Sequence, residues 1–212
     1  MKNIILTPSV IIDSYKKGIF PMGDYEDDRF VIWCSPNKRA VIPIGELHIS
    51  RSLRKECIKR NLTFTINKCF ERVIFKCASR DETWITSPII QNYIELYKGG
   101  VAHSVEIWDK NILLGGLYGV TIGATFFAES MFSASKNGSK FALVALMFIL
   151  VTNKFLLLDV QFMTKHLETM GAIEVPKTKF LDELRVAKEK IAYFNIEGLT
   201  CIDMKLLNSL IN

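Results

Sequence analysis

The feature that most restricts this chain is an unbroken apolar run from Phe141 to Val151, followed by Thr152, Asn153 and Lys154. A helix that is apolar on every side has to be covered on every side. A membrane crossing needs ~20 apolar residues, so this run reads as a buried helix rather than a span. A second near-continuous apolar segment, Phe155–Gln161, follows at once and reads as a central, buried strand. At 212 residues and 49% hydrophobic content, the chain has enough apolar material for one core domain, with or without a small lobe.

The segments around this pair set the fold class. Ala102–Trp108 alternates like a strand, Asp109-Lys110-Asn111 forms a tight turn, and Ile112–Val120 is a second strand, broken by Gly115 and Gly116. Gly123 marks another turn and Thr125–Met131 is a third strand, completing an antiparallel meander. The helix Ser139–Asn153, the strand Phe155–Gln161 and a short helix Thr164–Met170, closed by Gly171, follow. The order β-β-β-α-β-α predicts an α+β fold, an α/β sandwich with helices on a mixed sheet. It is also the core order of the GNAT acyltransferases, an analogy of fold alone. Upstream, Ser9–Lys17 reads as a helix between Pro8 and Gly18, followed by an acidic loop, Asp24–Asp28. Ile49–Arg60 reads as a basic helix capped by Ser50, Thr63–Ile66 as a strand, and Cys69–Cys77 and Ser87–Tyr97 as helices. The expected organisation is a small N-terminal lobe over 1–37, a GNAT-like domain over 38–190, and an extension of unassigned role over 191–212.

A net charge of +5 and a pI near 8.9 are compatible with a polyanionic partner. Five cysteines with no C-x-x-C pair point to a reduced, cytoplasmic protein, as does an N-terminus without a signal peptide. His48, His103 and His166 share no metal-ligand spacing, so no metal is expected. No P-loop, dinucleotide fingerprint, nucleophile elbow or zinc-protease motif occurs.

Three acidic or amide side chains can carry chemistry. Asp159 and Gln161 lie two apart at the end of a strand and so share a face, with Leu158 and Val160 pointing away. A carboxylate can polarise such an amide, which then holds an attacking amine and aids its proton loss; equally, both residues can cap the next helix. Glu129 sits among aromatics, where a carboxylate is costly unless paired or used, or else it faces solvent at a strand end. Leu117, Phe126, Met131, Leu143, Leu146 and Leu158 either line an apolar pocket or belong to the core. Trp84, in a loop, can stack on a nucleobase or cover the core. Arg51, Arg54 and Lys55 can contact phosphates or form a solvated helix face.

Several strings then occur in order: Gly18-Ile19-Phe20-Pro21, Trp33-Cys34-Ser35-Pro36, Arg39-Ala40-Val41, Leu47-His48-Ile49-Ser50-Arg51-Ser52, Thr83-Trp84-Ile85, Ala102-His103-Ser104-Val105-Glu106-Ile107-Trp108, Gly115-Gly116-Leu117-Tyr118-Gly119-Val120, Glu129-Ser130-Met131-Phe132-Ser133, Ser139-Lys140 and Leu158-Asp159-Val160-Gln161. From about Leu6 to Leu184 the chain closely resembles the bacterial leucyl/phenylalanyl-tRNA–protein transferases. The resemblance implies transfer of Leu or Phe from Leu-tRNA or Phe-tRNA to proteins with N-terminal Lys or Arg, marking them for N-degron degradation. It implies no cofactor; a monomer without membrane attachment is expected. By resemblance, Gln161 supported by Asp159 assists the acceptor amine and Glu129 organises the reacting groups. A C-shaped apolar pocket would take the aminoacyl side chain, and Trp84 and position 22 would meet the terminal adenosine of the tRNA.

The chain departs from the family pattern at several points. Met22 and Cys34 stand where the family usually has Trp, Ala128 where it has Gly, and Leu146 where a pocket Phe is common; a trimmed N-terminal lobe is also expected. Two other readings compete with aminoacyl transfer: a GNAT-type N-acetyltransferase, and a non-catalytic tRNA-binding relative. Ser133–Ser139 lacks the Gly-rich coenzyme A loop, which argues against the first. The retained Asp159, Gln161 and Glu129 argue against the second.

Overall fold

A computed structural model describes residues 6–24, 27, 30–79, 83–196 and 200–210. The N-terminal part holds helix α1 (Pro8–Tyr15) and a hairpin of β1 (Phe20–Gly23) and β2 (Val31–Cys34). The rest of the expected acidic loop, residues 25, 26 and 28, lies outside the described residues. Then come β3 (Lys38–Val41), α2 (Arg51–Arg60), β4 (Thr63–Ile66), α3 (Phe70–Ala78) and α4 (Ser87–Lys98). The meander is β5 (Ala102–Asp109), β6 (Ile112–Ile122) and β7 (Thr125–Ser133). It is followed by the apolar helix α5 (Gly138–Thr152), the strand β8 (Leu157–Gln161) and α6 (Lys165–Glu168). The chain closes with β9 (Ile173–Pro176), α7 (Lys177–Ala187), β10 (Thr200–Cys201) and α8 (Met204–Asn208).

Eight of these strands form one sheet in the order β10-β4-β5-β6-β7-β8-β3-β9. All neighbours are antiparallel except β7 and β8, which run parallel across the α5 crossover. The fold is therefore α+β with a mixed sheet. Successive residues feed opposite cores, as strand geometry requires. Leu117, Phe126 and Leu158 join α5 and α2 on one face. Tyr118, Phe127 and Leu157 join α1, α3, α4 and α7 on the other.

Gly115 and Gly116 do not break β6, contrary to expectation. A Cβ on Gly115 would lie 2.4 Å from the carbonyl carbon of Gly138, and one on Gly138 would lie 2.2 Å from the Leu114 carbonyl oxygen. The two glycines let the first turn of α5 rest directly on the strand backbone.

The extension past residue 190 completes one of the cores. Phe194 stacks on Phe126 with ring centroids 4.9 Å apart and also meets Phe155 and His103. β10 pairs with β4 at the sheet edge, and Ile202, Leu206, Leu207 and Leu210 are buried in the same cluster as α5. These contacts give the extension a structural role that its sequence did not declare.

Candidate active site

The site forms where β7 and β8 part. Their parallel pairing ends at Phe127 with Asp159. Just beyond, each strand carries one extra residue against its other neighbour. Along β6, Tyr118 faces Ser130 while Gly119 faces Ala128, which leaves Glu129 without a partner. Along β3, Ala40 faces Gln161 while Val41 faces Asp159, which leaves Val160 without one. A bulge bends its strand and re-aims the side chain it carries. Glu129, two residues beyond Phe127, points to the face that holds α1 and α4, and the bulge leaves it without a partner on β6. A Cβ on Gly119 would lie 2.3 Å from the Phe127 carbonyl oxygen, so the bulge requires glycine opposite it.

Glu129 is buried, not solvent-facing. Tyr15 donates to its Oε1 at 2.6 Å and Tyr93 to its Oε2 at 3.1 Å, and the two hydroxyls are 2.6 Å apart. Gln161 Nε2 donates to the same Oε1 at 3.0 Å. Burial pushes the Glu129 carboxyl up from 4.5 to about 8, the Tyr15 hydrogen bond opposes this, and the Asp159 charge adds to it. Burial, then the neighbouring Glu129, raises both tyrosine hydroxyls well above 10.0.

The surplus residue Val160 interrupts the alternation that would set Asp159 and Gln161 on one face, and Asp159 does not touch the side-chain amide. Its Oδ1 accepts the Gln161 backbone N–H at 2.9 Å. Gln161 has left-handed backbone, φ +60°, and that hydrogen bond holds it there. Arg39 covers the rest of the Asp159 carboxylate, with Nε 2.8 Å from Oδ1 and Nη2 2.6 Å from Oδ2. Both partners are almost wholly buried, and the guanidinium lies over the rings of Phe20 and Phe180 at 4.4 and 4.6 Å.

Glu129 and Gln161 form the floor of a cleft of about 670 Å³, within the size range of small-ligand sites. Its walls come from β1 (Phe20, Met22), Lys76 of α3 and Ser79 just past its end, β7 (Ala128 to Ser133) and the segment after β8 (Phe162, Thr164, His166, Leu167), with Leu117, Ser139 and Val160. Trp84 and Met22 both line it. The Gly23 N–H donates to the Trp84 carbonyl at 2.9 Å and ties the hairpin to the indole loop.

The six residues expected to line an apolar pocket fall into two groups. Of its six members, Leu117 and Met131 reach the cleft. Phe126, Leu143, Leu146 and Leu158 are fully buried in the core, where α5 and the inner face of the sheet pack together. The other apolar walls of this cleft are Phe20, Phe132, Val160, Phe162 and Leu167. The first four of these lie at strand ends or bulges, where alternation gives no warning. Arg51, Arg54 and Lys55 do not line the cleft. They sit on α2, which packs through Leu53 and Cys57, with Arg54 donating to Asn208 of α8.

The His103–Trp108 string, conspicuous in sequence, is a brace for the fold. Buried Glu106 accepts from Ser104 and Thr65, each at 2.5 Å, and from the backbone N–H groups of Lys68 and Cys69 at the start of α3. Trp108 donates to Thr65 at 2.8 Å. Among the described residues, no group of three or more His, Cys, Asp or Glu side chains could hold a metal ion, and no helix is long and apolar enough to cross a membrane.

A family model described as leucyl/phenylalanyl-tRNA protein transferase matches residues 41–185, and a model of the corresponding N-terminal domain matches residues 5–37. Three curated relatives carry the name leucyl/phenylalanyl-tRNA–protein transferase. The one from Dinoroseobacter shibae is 44% identical over 86% of this chain and 82% of its own length. That from Roseobacter denitrificans is 41% identical over 89% and 90%, and that from a Jannaschia species 43% over 90% and 90%.

Proposed function

The chain belongs to the leucyl/phenylalanyl-tRNA–protein transferase family and is an aminoacyltransferase that uses charged tRNA, and from that premise we propose that the cleft at the parting of β7 and β8 is where it works. The donor is an activated ester and the nucleophile an amine. No covalent enzyme intermediate is required: the amine attacks the ester carbonyl, the new amide bond forms as the bond to the tRNA ribose oxygen breaks, and the proton lost by the amine is balanced by the one the leaving ribose hydroxyl takes up, so positioning of the amine suffices.

Gln161 is the residue that meets the acceptor. Its amide N–H is engaged by Glu129, which leaves the carbonyl oxygen to accept from the incoming α-amine. Glu129 sets the orientation of that amide, and Tyr15 and Tyr93 set the orientation of Glu129. The apolar walls receive the Leu or Phe side chain, where burying a charged side chain would be costly. Trp84, with Met22 beside it, receives the terminal adenosine, and Arg51, Arg54 and Lys55 meet the tRNA phosphates further out. The acceptors are proteins with N-terminal Lys or Arg, tagged in this way for degradation in the cytoplasm. The enzyme acts as a monomer. The domain over 38–190 is GNAT-like: an antiparallel β5-β6-β7 meander, a crossover helix and a parallel β8 that leaves its neighbour at the site.

The observation that carries this reading is the 3.0 Å contact of Glu129 and Gln161 on the floor of the cleft. The test is transfer of radiolabelled Leu or Phe from charged tRNA to peptides beginning with Lys or Arg, against peptides beginning with Ala. Label on the Lys and Arg peptides alone is expected. Charged-tRNA binding without transfer to any of the peptides would overturn the reading in favour of a non-catalytic relative.

A further inference from the structure

Arg39 belongs to the string Arg39-Ala40-Val41, yet nothing in the sequence assigns it a part in the site. It is among the largest fully buried side chains of the molecule, at 1% exposure. A buried ion pair is weak evidence for stability, because the cost of desolvating both charges offsets much of their attraction. A two-pronged, fully buried pair therefore invites a reason beyond stability. The geometry gives one. Three parts of the site converge on this guanidinium: the carboxylate of Asp159, the carbonyl oxygen of Gly18 at 3.3 Å, and the ring of Phe20, which lines the cleft.

We propose that Arg39 is the positioning residue of the transfer reaction: its forked hold on Asp159 fixes the carboxylate that pins the Gln161 backbone and so aims the Gln161 amide. The chain of contacts is continuous. Arg39 Nε and Gln161 N both donate to Asp159 Oδ1, so the oxygen that receives the guanidinium is the one that restrains the left-handed residue. The carboxylate cannot turn toward the cleft without giving up both prongs. Asp159 thus acts on Gln161 through its backbone, and the part of the amide is set by where it points. Arg39 touches no reacting atom. The same guanidinium holds Phe20 and Gly18, so the cleft wall on the N-terminal side and the catalytic amide share one anchor. Lys cannot replace it, because a point charge on a flexible stem reproduces neither the fork nor the stacking.

This inference rests on Gln161 as the amide that meets the amine, so Gln161→Ala belongs in the same assay. Single-turnover and steady-state transfer would be compared for native protein, Arg39→Lys, Asp159→Asn, their combination, and Gln161→Ala. A misplacement of ~1 Å costs about 10²-fold in rate. Arg39→Lys is therefore expected to lower kcat by about 10–100-fold, with KM for charged tRNA within about twofold of native. If Arg39 acts through Asp159, the combined variant loses no more than Asp159→Asn alone. Native kcat in Arg39→Lys while Gln161→Ala is inactive would overturn the role of Arg39 and leave that of Gln161 standing. So would losses that multiply in the combined variant. Activity retained in Gln161→Ala would overturn the reading of the amide itself, and the Arg39 role with it. Should a single substitution fail to fold, Arg39→Met combined with Asp159→Leu replaces the pair by apolar groups, a change that folds tolerate. That variant should fold and transfer poorly; a folded variant with native kcat would contradict the proposal.

Discussion

Glu129 Oε1 and Gln161 Nε2 meet at 3.0 Å although the strands that carry them have already stopped pairing. The contact exists because Glu129 is the surplus residue of one bulge and Gln161 follows directly on the surplus residue of another. Two local irregularities open the sheet, and two long side chains bridge the gap.

The burial of Glu129 has a consequence for stability. Its carboxyl is raised from 4.5 to about 8 in the folded protein. Between those values the folded state holds a proton that the unfolded state has lost, so this group's contribution falls as pH rises from about 4.5 to about 8, and then levels off. Native protein should therefore lose more stability than Glu129→Gln across that window. Thermal unfolding midpoints of the two, measured from pH 5 to pH 9, test this, and parallel curves would refute it.

Met22 and Trp84 line the same cleft, which bears on adenosine binding. Stacking of a base on an aromatic ring is worth ~1–3 kcal/mol, and Met offers no such face. Met22→Trp should tighten binding of an aminoacyl-adenosine analogue by up to about tenfold, the low end of that range. Trp84→Ala should weaken binding markedly, since no second ring compensates. Titration of the analogue against all three proteins decides it. An unchanged dissociation constant in Met22→Trp would remove residue 22 from the contact.

Phe194 lies outside the matched family segment and packs against His103, Phe126 and Phe155. Truncating a buried Phe typically costs ~3–5 kcal/mol. Phe194→Ala should lose stability of that order by urea unfolding. Its transfer rate should stay near native at temperatures where the variant remains folded. A loss below ~1 kcal/mol would mean that the extension is an appendage and not part of the core.

The order of the central elements was readable from sequence because α5 holds an unbroken apolar run from Phe141 to Val151, β8 is nearly as apolar, and the meander alternates between clear turns. Glu129, Asp159 and Gln161 stood out as polar groups in apolar surroundings. Their connections did not. Tyr15 reaches Glu129 from 114 positions away, and Arg39 reaches Asp159 from 120. No local pattern encodes such pairings. Leu143 and Leu146 looked as eligible for a pocket as Leu117 did, because periodicity marks a buried face without saying whether a ligand or another helix covers it. The bulges were hidden for the same reason: an extra residue reverses the alternation only after it has occurred.

The central claim is that the Gln161 amide carries the transfer step, and Gln161→Ala and Gln161→Gly examine it together. Gln161 has φ +60°, which is costly for residues with a Cβ and free for glycine, so the Gly variant should be the more stable of the two. Both lack the amide. Measured as single-turnover transfer of radiolabelled Leu or Phe from a preformed charged-tRNA complex, both should be slower by ~10²–10⁴-fold, with tRNA affinity retained. Transfer at near-native rates by either variant would contradict the account.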